Sequence, residues 1–445
     1  MQFKINCTIE ESYEVVVCGG GPAGFSAALC AARNGARVAL VEQMGYLGGA
    51  ATVNGVNVFP HGYHDGERFI IGGIFKEIYQ ELLSRDAIIP HWQRGWEPFN
   101  METYKLVLDT LLKQANVDVY LESTLVSVNK IDSRISHILI STLKGCIALE
   151  AKQFVDATGD GHLSMLAGVP FDIGRDSDGA IQPYTLMFFV GGVDFDVIKE
   201  YNRNKSWLTD DGRTFVNGNG FKQFIDKANE DGLNFIPKKT IGSMYNIPWL
   251  PGVVGINFGR IFADPNLDPR RLFEDTYIGR LQVQQGVEIL QKYIPGFENC
   301  YLIESSPKVG RRESRRIKGH YVMTEQDIRL QNQFPDVVAQ ACYQIDIHGP
   351  TDASSHLVKI PQGKHYDIPY RSLIPLECDN LLVSGRCVST SHEALAAVRV
   401  QPICMATGQA AGTAAAMCAL ENKKPIDLSV SCLQQKLIEQ DVILK

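Results

Sequence analysis

The feature that most constrains this 445-residue chain is a glycine pattern near its start. Gly19, Gly21 and Gly24 follow a β-branched run at 14–18 and precede an alanine-rich run at 25–34. That order predicts a short buried strand, a tight turn and a helix closed by Gly35, with a second strand at 37–41 ending in Glu42. Strand–helix–strand implies a parallel pair. Each residue has a physical task. Gly19 permits the turn, Gly21 lets backbone approach a pyrophosphate, and Gly24 lets helix and strand pack closely. Pro22 and Ala23 open the helix, where a missing N–H costs nothing and the free amides favour phosphate. Glu42, about 20 residues on, is placed to accept ribose hydroxyls, with Gln43 beside it. A glycine turn that merely packs is the bland alternative, and its context disfavours it.

Along the rest of the chain, residues 60–100 read as irregular and aromatic, and a helix is expected at 101–115. Strand-like runs follow at 117–121, 124–128 (with Val126), 135–142 and 146–149. This meander returns the chain to a strand at 153–157 that runs into Thr158, Gly159 and Asp160. Residues 170–370 have longer loops, apart from a long helix at 269–293 with Leu272, Ile278, Leu281 and Val287 at helical spacing. A strand at 380–384 leads into Gly385 and Arg386, and a small-residue helix runs over 401–420.

The segments at 155–160 and 381–386 resemble the second and third cofactor-contact segments of glutathione-reductase-type flavoproteins. The run at 45–49 (GYLGG), with Gly48 and Gly49, is similar to the glycines that such proteins place beside the flavin. More specific are 309–319 (VGRRESRRIKG), 368–375 (IPYRSLIP) and 383–394 (VSGRCVSTSHEA). Together these resemble the broad bacterial family of FAD-dependent oxidoreductases that is distantly similar to the flavoprotein subunit of heterodisulfide reductase. The resemblance implies FAD as cofactor and an α/β fold: a Rossmann-type FAD-binding domain of glutathione-reductase type, with an inserted mixed α+β substrate domain. The expected pieces are 1–165 and 373–445 for FAD and 166–372 for substrate. Expected FAD contacts are Gly19, Gly21, Pro22, Ala23, Gly24, Glu42, Gln43, Gly48, Gly49, Val126, Ala157, Thr158, Gly159, Asp160, Gly385, Arg386, Gln401 and Met405. The last two lie on the final helix, whose N-terminus would favour the negative charge that gathers on reduced flavin.

Composition narrows the function. Hydrophobic residues at 45% and charged residues at 21% describe a globular chain. A net charge of −7 argues against non-specific nucleic-acid binding. The 11 cysteines include no C-x-x-C, which speaks against iron–sulfur clusters, zinc ribbons and dithiol centres. Reduced thiols fit a cytoplasmic setting. The weakly apolar stretch 15–32 follows Glu10, Glu11 and Glu14, unlike a signal peptide. The stretch 403–420 lacks the large apolar residues of a membrane span.

Flavin carries the redox chemistry, so the protein's task is position, charge and proton transfer. Arg312 and Arg315, within the basic run 311–316, are candidates for a carboxylate or phosphate clamp, against a surface ion-pair ladder. His392 is either a general acid/base or a hydrogen-bond partner of backbone or FAD. Arg399 is a candidate for stabilising anionic flavin or substrate, and Tyr370 and Arg371 for the crossing between lobes. His61, His64, Trp92 and Trp96 suggest a lid, and no metal site is expected. Cys387 and Cys404 suggest packing rather than chemistry. The expectation is a soluble FAD-dependent oxidoreductase acting on a small anionic molecule. A flavin-carrying subunit docked to an electron-transfer protein, or a flavin monooxygenase, stands as the alternative.

Overall fold

Val15, Val16 and Val17 are completely buried in the strand Ile9–Cys18. A β-branched run shielded on both faces belongs inside a parallel sheet. The computed structural model describes residues 7, 9–90, 96–202 and 216–444, so Trp92 lies outside the described residues. Ile9–Cys18 has parallel partners on both sides, pairing Val15 with Val38 and with Gln153. The sheet order is Asp118–Tyr120, Val38–Val41, Ile9–Cys18, Gly145–Asp156, Arg134–Thr142, Thr124–Ile131, with Leu381–Val383 joining alongside Gly145–Asp156. This is an α/β fold with a Rossmann-like sheet.

Two details of the expected meander change. Residues 118–120 belong to the parallel part, next to Val38–Val41. The runs at 146–149 and 153–157 are one 12-residue strand, because nothing between them carries turn chemistry. Its first half pairs with Arg134–Thr142 and its end with Leu381–Val383. One long strand therefore serves both the hairpin and the parallel sheet.

The helix Pro22–Arg33 lies on the helix Gln401–Glu421. A Cβ at Gly408 would stand 2.1 Å from the Ala23 carbonyl oxygen, and one at Gly412 2.1 Å from that of Ala27. The small-residue face thus lets two backbones touch. This packing explains a helix apolar and long enough to cross a membrane whose most apolar window is 89% buried inside the protein.

Within 60–100, the helix Gly73–Ser84 replaces the expected irregular stretch. Its Ile74, Phe75, Ile78, Tyr79 and Leu82 form a buried stripe at helical spacing. The aromatic texture on either side obscures this period in the sequence.

A second sheet is antiparallel, in the order Val216–Gly220, Ile241–Asn246, Val254–Asn257, Phe188–Gly191, Tyr301–Ser305. The helix Pro269–Tyr293 covers it, with Asp268 accepting from the Arg270 amide at its start. This helix has the expected extent, but its buried face differs. Leu272, Ile278 and Val287 are only partly buried, while Gly279, Val283, Gly286, Ile289 and Leu290 form the contact. Gly279 and Gly286 bring the helix down on Leu186 and Phe188.

Candidate active site

The turn after Ile9–Cys18 has the geometry its glycines call for. Gly19 sits at φ +99°, and a Cβ on Gly24 would fall 1.7 Å from the Gly19 carbonyl oxygen. Gly21 is different, since a Cβ there would meet only the Gly49 Cα at 3.8 Å. The protein's own packing does not require glycine at that position. The open space in front of it has room for a pyrophosphate to approach. The Gly20 amide donates to Glu42 Oε2 at 2.6 Å and the Met44 amide to Oε1 at 2.8 Å. Burial raises the Glu42 carboxyl above its ordinary value against the pull of those amides. Gln43 is exposed beside it. Gly48 donates its amide to the Gly20 carbonyl, which brings the 45–49 turn against the fingerprint.

The other cofactor segments reach the same end of the sheet. The Ala157 amide donates to Cys18 O, and the Thr158 hydroxyl to Asp156 Oδ1. The Gly385 amide donates to Thr407 Oγ1, tying that turn to the helix Gln401–Glu421. That helix starts without a side-chain cap. Gln401 donates to Val56 O at 2.7 Å, while its Oε1, like Ser384 Oγ, is buried without a hydrogen-bond partner. Met405 is fully buried within the same helix. An open glycine cradle, an acidic ribose acceptor and an orphaned acceptor at an uncapped helix start fit FAD.

Some expected contacts are otherwise engaged. Asp160 receives Arg386 Nη2 at 2.6 Å, Arg311 Nη1 at 2.6 Å and Ser314 Oγ at 2.7 Å. Burial raises its carboxyl, but Arg386 and Arg311 outweigh that and hold it well below the usual range. Asp160 is thus shared by two guanidinium groups, and Arg386 is taken up by it. Val126 is half-exposed at a bulge in Thr124–Ile131.

Beside the start of Gln401–Glu421 lies a cluster that joins Arg399 to the segment 182–185 and to the short strand Ile345–His348. Arg399 donates from Nη1 to Gln182 Oε1 at 2.8 Å and from Nη2 to Asp346 O at 2.9 Å. Arg312 donates from Nη1 to Pro183 O at 2.6 Å and Thr185 Oγ1 at 2.8 Å. Both are half-buried. Burial, then Arg399, lowers Arg312 to about 9, so it stays charged at neutral pH. The carboxylate of Asp346 stands 3.5 Å from His348 Nε2 and accepts from the Tyr343 hydroxyl at 3.4 Å. Burial raises its pKa, but His348, Arg399 and Arg312 hold it far below the usual range. Burial, reinforced by Arg312, pushes His348 down to about 3, so its imidazole is neutral. Arg260 Nη1 is committed to Asp352 O and Ser354 O.

His392, expected either as a general acid/base or as a hydrogen-bond partner of backbone or FAD, is held by a carboxylate. It is 4% exposed, with Nδ1 2.9 Å from Glu313 Oε2, and Glu313 is also bonded to Arg316. This sealed trio supports the site from beneath, since the backbone N–H of Gln182 donates to Glu313. Arg315 does not join Arg312 at the clamp; it donates to Asp160 O and lies over the Phe171 ring. Arg371 is likewise held elsewhere, paired with Asp336 at 2.9 Å and lying over Tyr321. Tyr370 is buried, donating to Pro425 O. His61 packs against Tyr343 with ring centroids 5.0 Å apart and so borders the cluster, whereas His64 closes its own turn by accepting from the Gly66 amide. Trp96 lies in the short strand Trp96–Pro98. Cys387 and Cys404 are buried, and burial raises both thiols. Among the described residues no group of three or more His, Cys, Asp or Glu could hold a metal ion.

Gln182, Arg260, Tyr343, Asp346 and His348 belong to no motif in the sequence. The one signal was the alternation of Asp346 and His348 on the strand Ile345–His348, which places two polar side chains on one face.

A family model described as FAD dependent oxidoreductase matches residues 14–437. Among solved structures, the chain is similar to a triply substituted flavin-dependent brominase, Bmp2, with 13% identity, TM-score 0.52 and coverage of 96% of this chain and 84% of that one. A second structure of that brominase gives 12% identity, TM-score 0.50 and coverage of 96% and 83%. A geranylgeranyl bacteriochlorophyll reductase-like protein from Thermoplasma acidophilum is 15% identical, at TM-score 0.47, over 97% of this chain and 84% of its own. At such identities the likeness is one of fold. No match was found among curated proteins.

Proposed function

The chain belongs to the FAD dependent oxidoreductase family, and from that premise we propose that it transfers electron pairs between FAD and a small anionic organic substrate held by Arg312 and Arg399. FAD is its cofactor. The observation that carries the substrate reading is the position of Arg399, immediately before Val400, the N-cap of the helix Gln401–Glu421. A guanidinium so placed lies beside the expected flavin edge. Three guanidinium groups, from Arg260, Arg312 and Arg399, share the half-buried carboxylate of Asp346, with Asp352 only at the exposed rim. Uncompensated charge in a partly dry site is costly, and an anionic ligand offsets that cost.

The division of labour follows from the contacts. Bound FAD supplies the two-electron acceptor or donor. Arg312 and Arg399 bind and orient the anionic group through planar donor forks. Gln182 and the Asp346 carbonyl fix the Arg399 guanidinium. The Tyr343 hydroxyl and the neutral imidazole of His348 are the groups that hold or accept a proton there. His392, Glu313 and Arg316 position Gln182 through its backbone N–H.

In this reading residues 1–165 and 373–445 form the FAD-binding part, of glutathione-reductase type and akin to the heterodisulfide reductase flavoprotein subunit, and 166–372 carry the substrate side. The motif resemblances at 155–160, 309–319, 368–375 and 383–394 support it. Eleven free thiols support a reducing, cytoplasmic setting.

Anaerobic mixing of FAD-loaded protein with a panel of organic acids, hydroxy acids and amino acids tests the reading. Loss of the oxidised-flavin colour with one of them, or its return when the reduced protein meets one, is the expected result. Colour loss only with a protein reductant favours an electron-carrying subunit. Turnover that requires an external reductant plus oxygen favours a monooxygenase.

A further inference from the structure

Arg260 and His348 come from different parts of the fold, and their contact fixes where the imidazole keeps its proton. Arg260 follows the strand Val254–Asn257 and is 3% exposed. Gln282, on the helix Pro269–Tyr293, clamps its backbone by accepting from the Arg260 amide at 2.8 Å and donating to the carbonyl at 2.7 Å. Arg260 Nη1 reaches Asp352 O at 2.6 Å and Ser354 O at 2.9 Å, in the turn between the paired strands Ile345–His348 and Ser355–Val358. Its Nη2 reaches His348 Nδ1 at 3.4 Å and Ser355 Oγ at 3.3 Å.

A guanidinium only donates, so Nδ1 is the acceptor and carries no proton. Ser355 Oγ, 3.2 Å from the same nitrogen, accepts from Arg260 and turns its own hydroxyl proton to the ring. On the other side, Nε2 stands 3.5 Å from Asp346 Oδ2. An ionised carboxylate only accepts, so Nε2 carries the proton. One neutral tautomer satisfies both neighbours. A doubly protonated ring would set an N–H against that of Arg260. The charged groups acting on the ring are Arg260, Arg312, Arg399 and Asp346.

The tautomer bears on the anion clamp. Among the described residues, Asp346 Oδ2 faces the His348 Nε2–H and accepts from the Tyr343 hydroxyl. Arg312 and Arg399 bond instead to oxygens without charge: Pro183 O, Thr185 Oγ1, Gln182 Oε1 and the Asp346 carbonyl. We propose that Arg260 is a positioning residue of this site: it locks His348 as the Nε2–H tautomer, which engages the Asp346 carboxylate and leaves Arg312 and Arg399 to the substrate anion. The inference rests on the anionic-substrate reading and deepens it, making His348 a fixed donor and not a base.

The test is nitrogen NMR of FAD-loaded protein isotope-labelled at histidine, from about pH 5.5 to 8.5, with His348→Asn to assign the ring. His348 should show a protonated Nε2 and an unprotonated Nδ1 throughout. Ser355→Ala, at the exposed rim, should keep that pattern, because Arg260 alone excludes a proton from Nδ1. Arg260→Met should lose it, with an Nδ1–H form or a titration entering the range. The half-saturating concentration of an organic acid that bleaches wild type should then rise about tenfold or more at unchanged FAD content. A wild-type ring that is protonated at Nδ1, or that titrates in this range, would overturn the inference. So would an Nδ1–H form in Ser355→Ala, or an Arg260→Met protein that keeps either the wild-type pattern or the wild-type half-saturation. The wild-type and Ser355→Ala spectra decide the matter should Arg260→Met not fold. The expected spectra with bleaching indifferent to Arg399→Leu would leave the tautomer standing and overturn the anionic-substrate reading alone.

Discussion

Arg399 Nη1 stands 2.8 Å from Gln182 Oε1, a contact between the last turn before the C-terminal core helix and a residue 217 positions earlier in the chain. The second prong of Arg399 reaches the Asp346 carbonyl. Lysine has no planar fork with which to make both contacts. Arg399→Lys should therefore lose about 10²-fold in kcat/KM on whatever acid reduces the flavin, with FAD content unchanged. Flavin-to-protein absorbance ratios and steady-state rates check both parts.

The sealed trio beneath the site predicts a different pattern. Glu313→Gln leaves Arg316 buried without its counter-charge and should cost about 3–5 kcal/mol in urea unfolding. His392→Gln should reduce stability but keep the shape of the pH–rate profile. A profile that loses a limb in His392→Gln would return His392 to proton transfer.

The touching helices give a packing prediction. Gly408→Val places a side chain where a Cβ already meets the Ala23 carbonyl oxygen at 2.1 Å. The two helices must separate, so about 3 kcal/mol or more of stability should be lost. FAD retention should fall with it, because Ala23 belongs to the phosphate-binding turn. Thermal unfolding and flavin content after gel filtration measure the two effects.

Lys238 predicts the direction of a pH effect on folding. Its folded value of about 7 lies below the ordinary 10.5. Between those values the unfolded chain binds more protons, so wild-type stability gains on Lys238→Met as pH rises from about 7 to 9. Urea unfolding across that range checks it. A constant difference between the two proteins would mean that Lys238 is solvated.

The fingerprint was legible because its chemistry is local: glycine, proline and an acid at set spacings around one strand and one helix. The helix Gln401–Glu421 was legible for a related reason, since small residues without charge mark a helix in close contact. The substrate cluster was not legible. Asp346 and His348 come from a short hairpin, and only the fold brings that hairpin to Arg399. Nearness in sequence also misled. His392 lies next to a flavin segment, yet its partner Glu313 is 79 residues away. Arg371 shares a motif with Tyr370, but Asp336 had already claimed it. The helix Gly73–Ser84 went unread because its period is interrupted on both sides by aromatic turns.

The most direct measurement is the anaerobic half-reaction, in which oxidised-flavin absorbance is followed after FAD-loaded wild type and Arg399→Leu are mixed with an organic acid that bleaches the wild type. Wild type should bleach rapidly and saturably, and an Arg399→Leu protein that carries a full complement of FAD at least about 10²-fold more slowly. Equal bleaching of the two proteins would contradict the anionic-substrate reading.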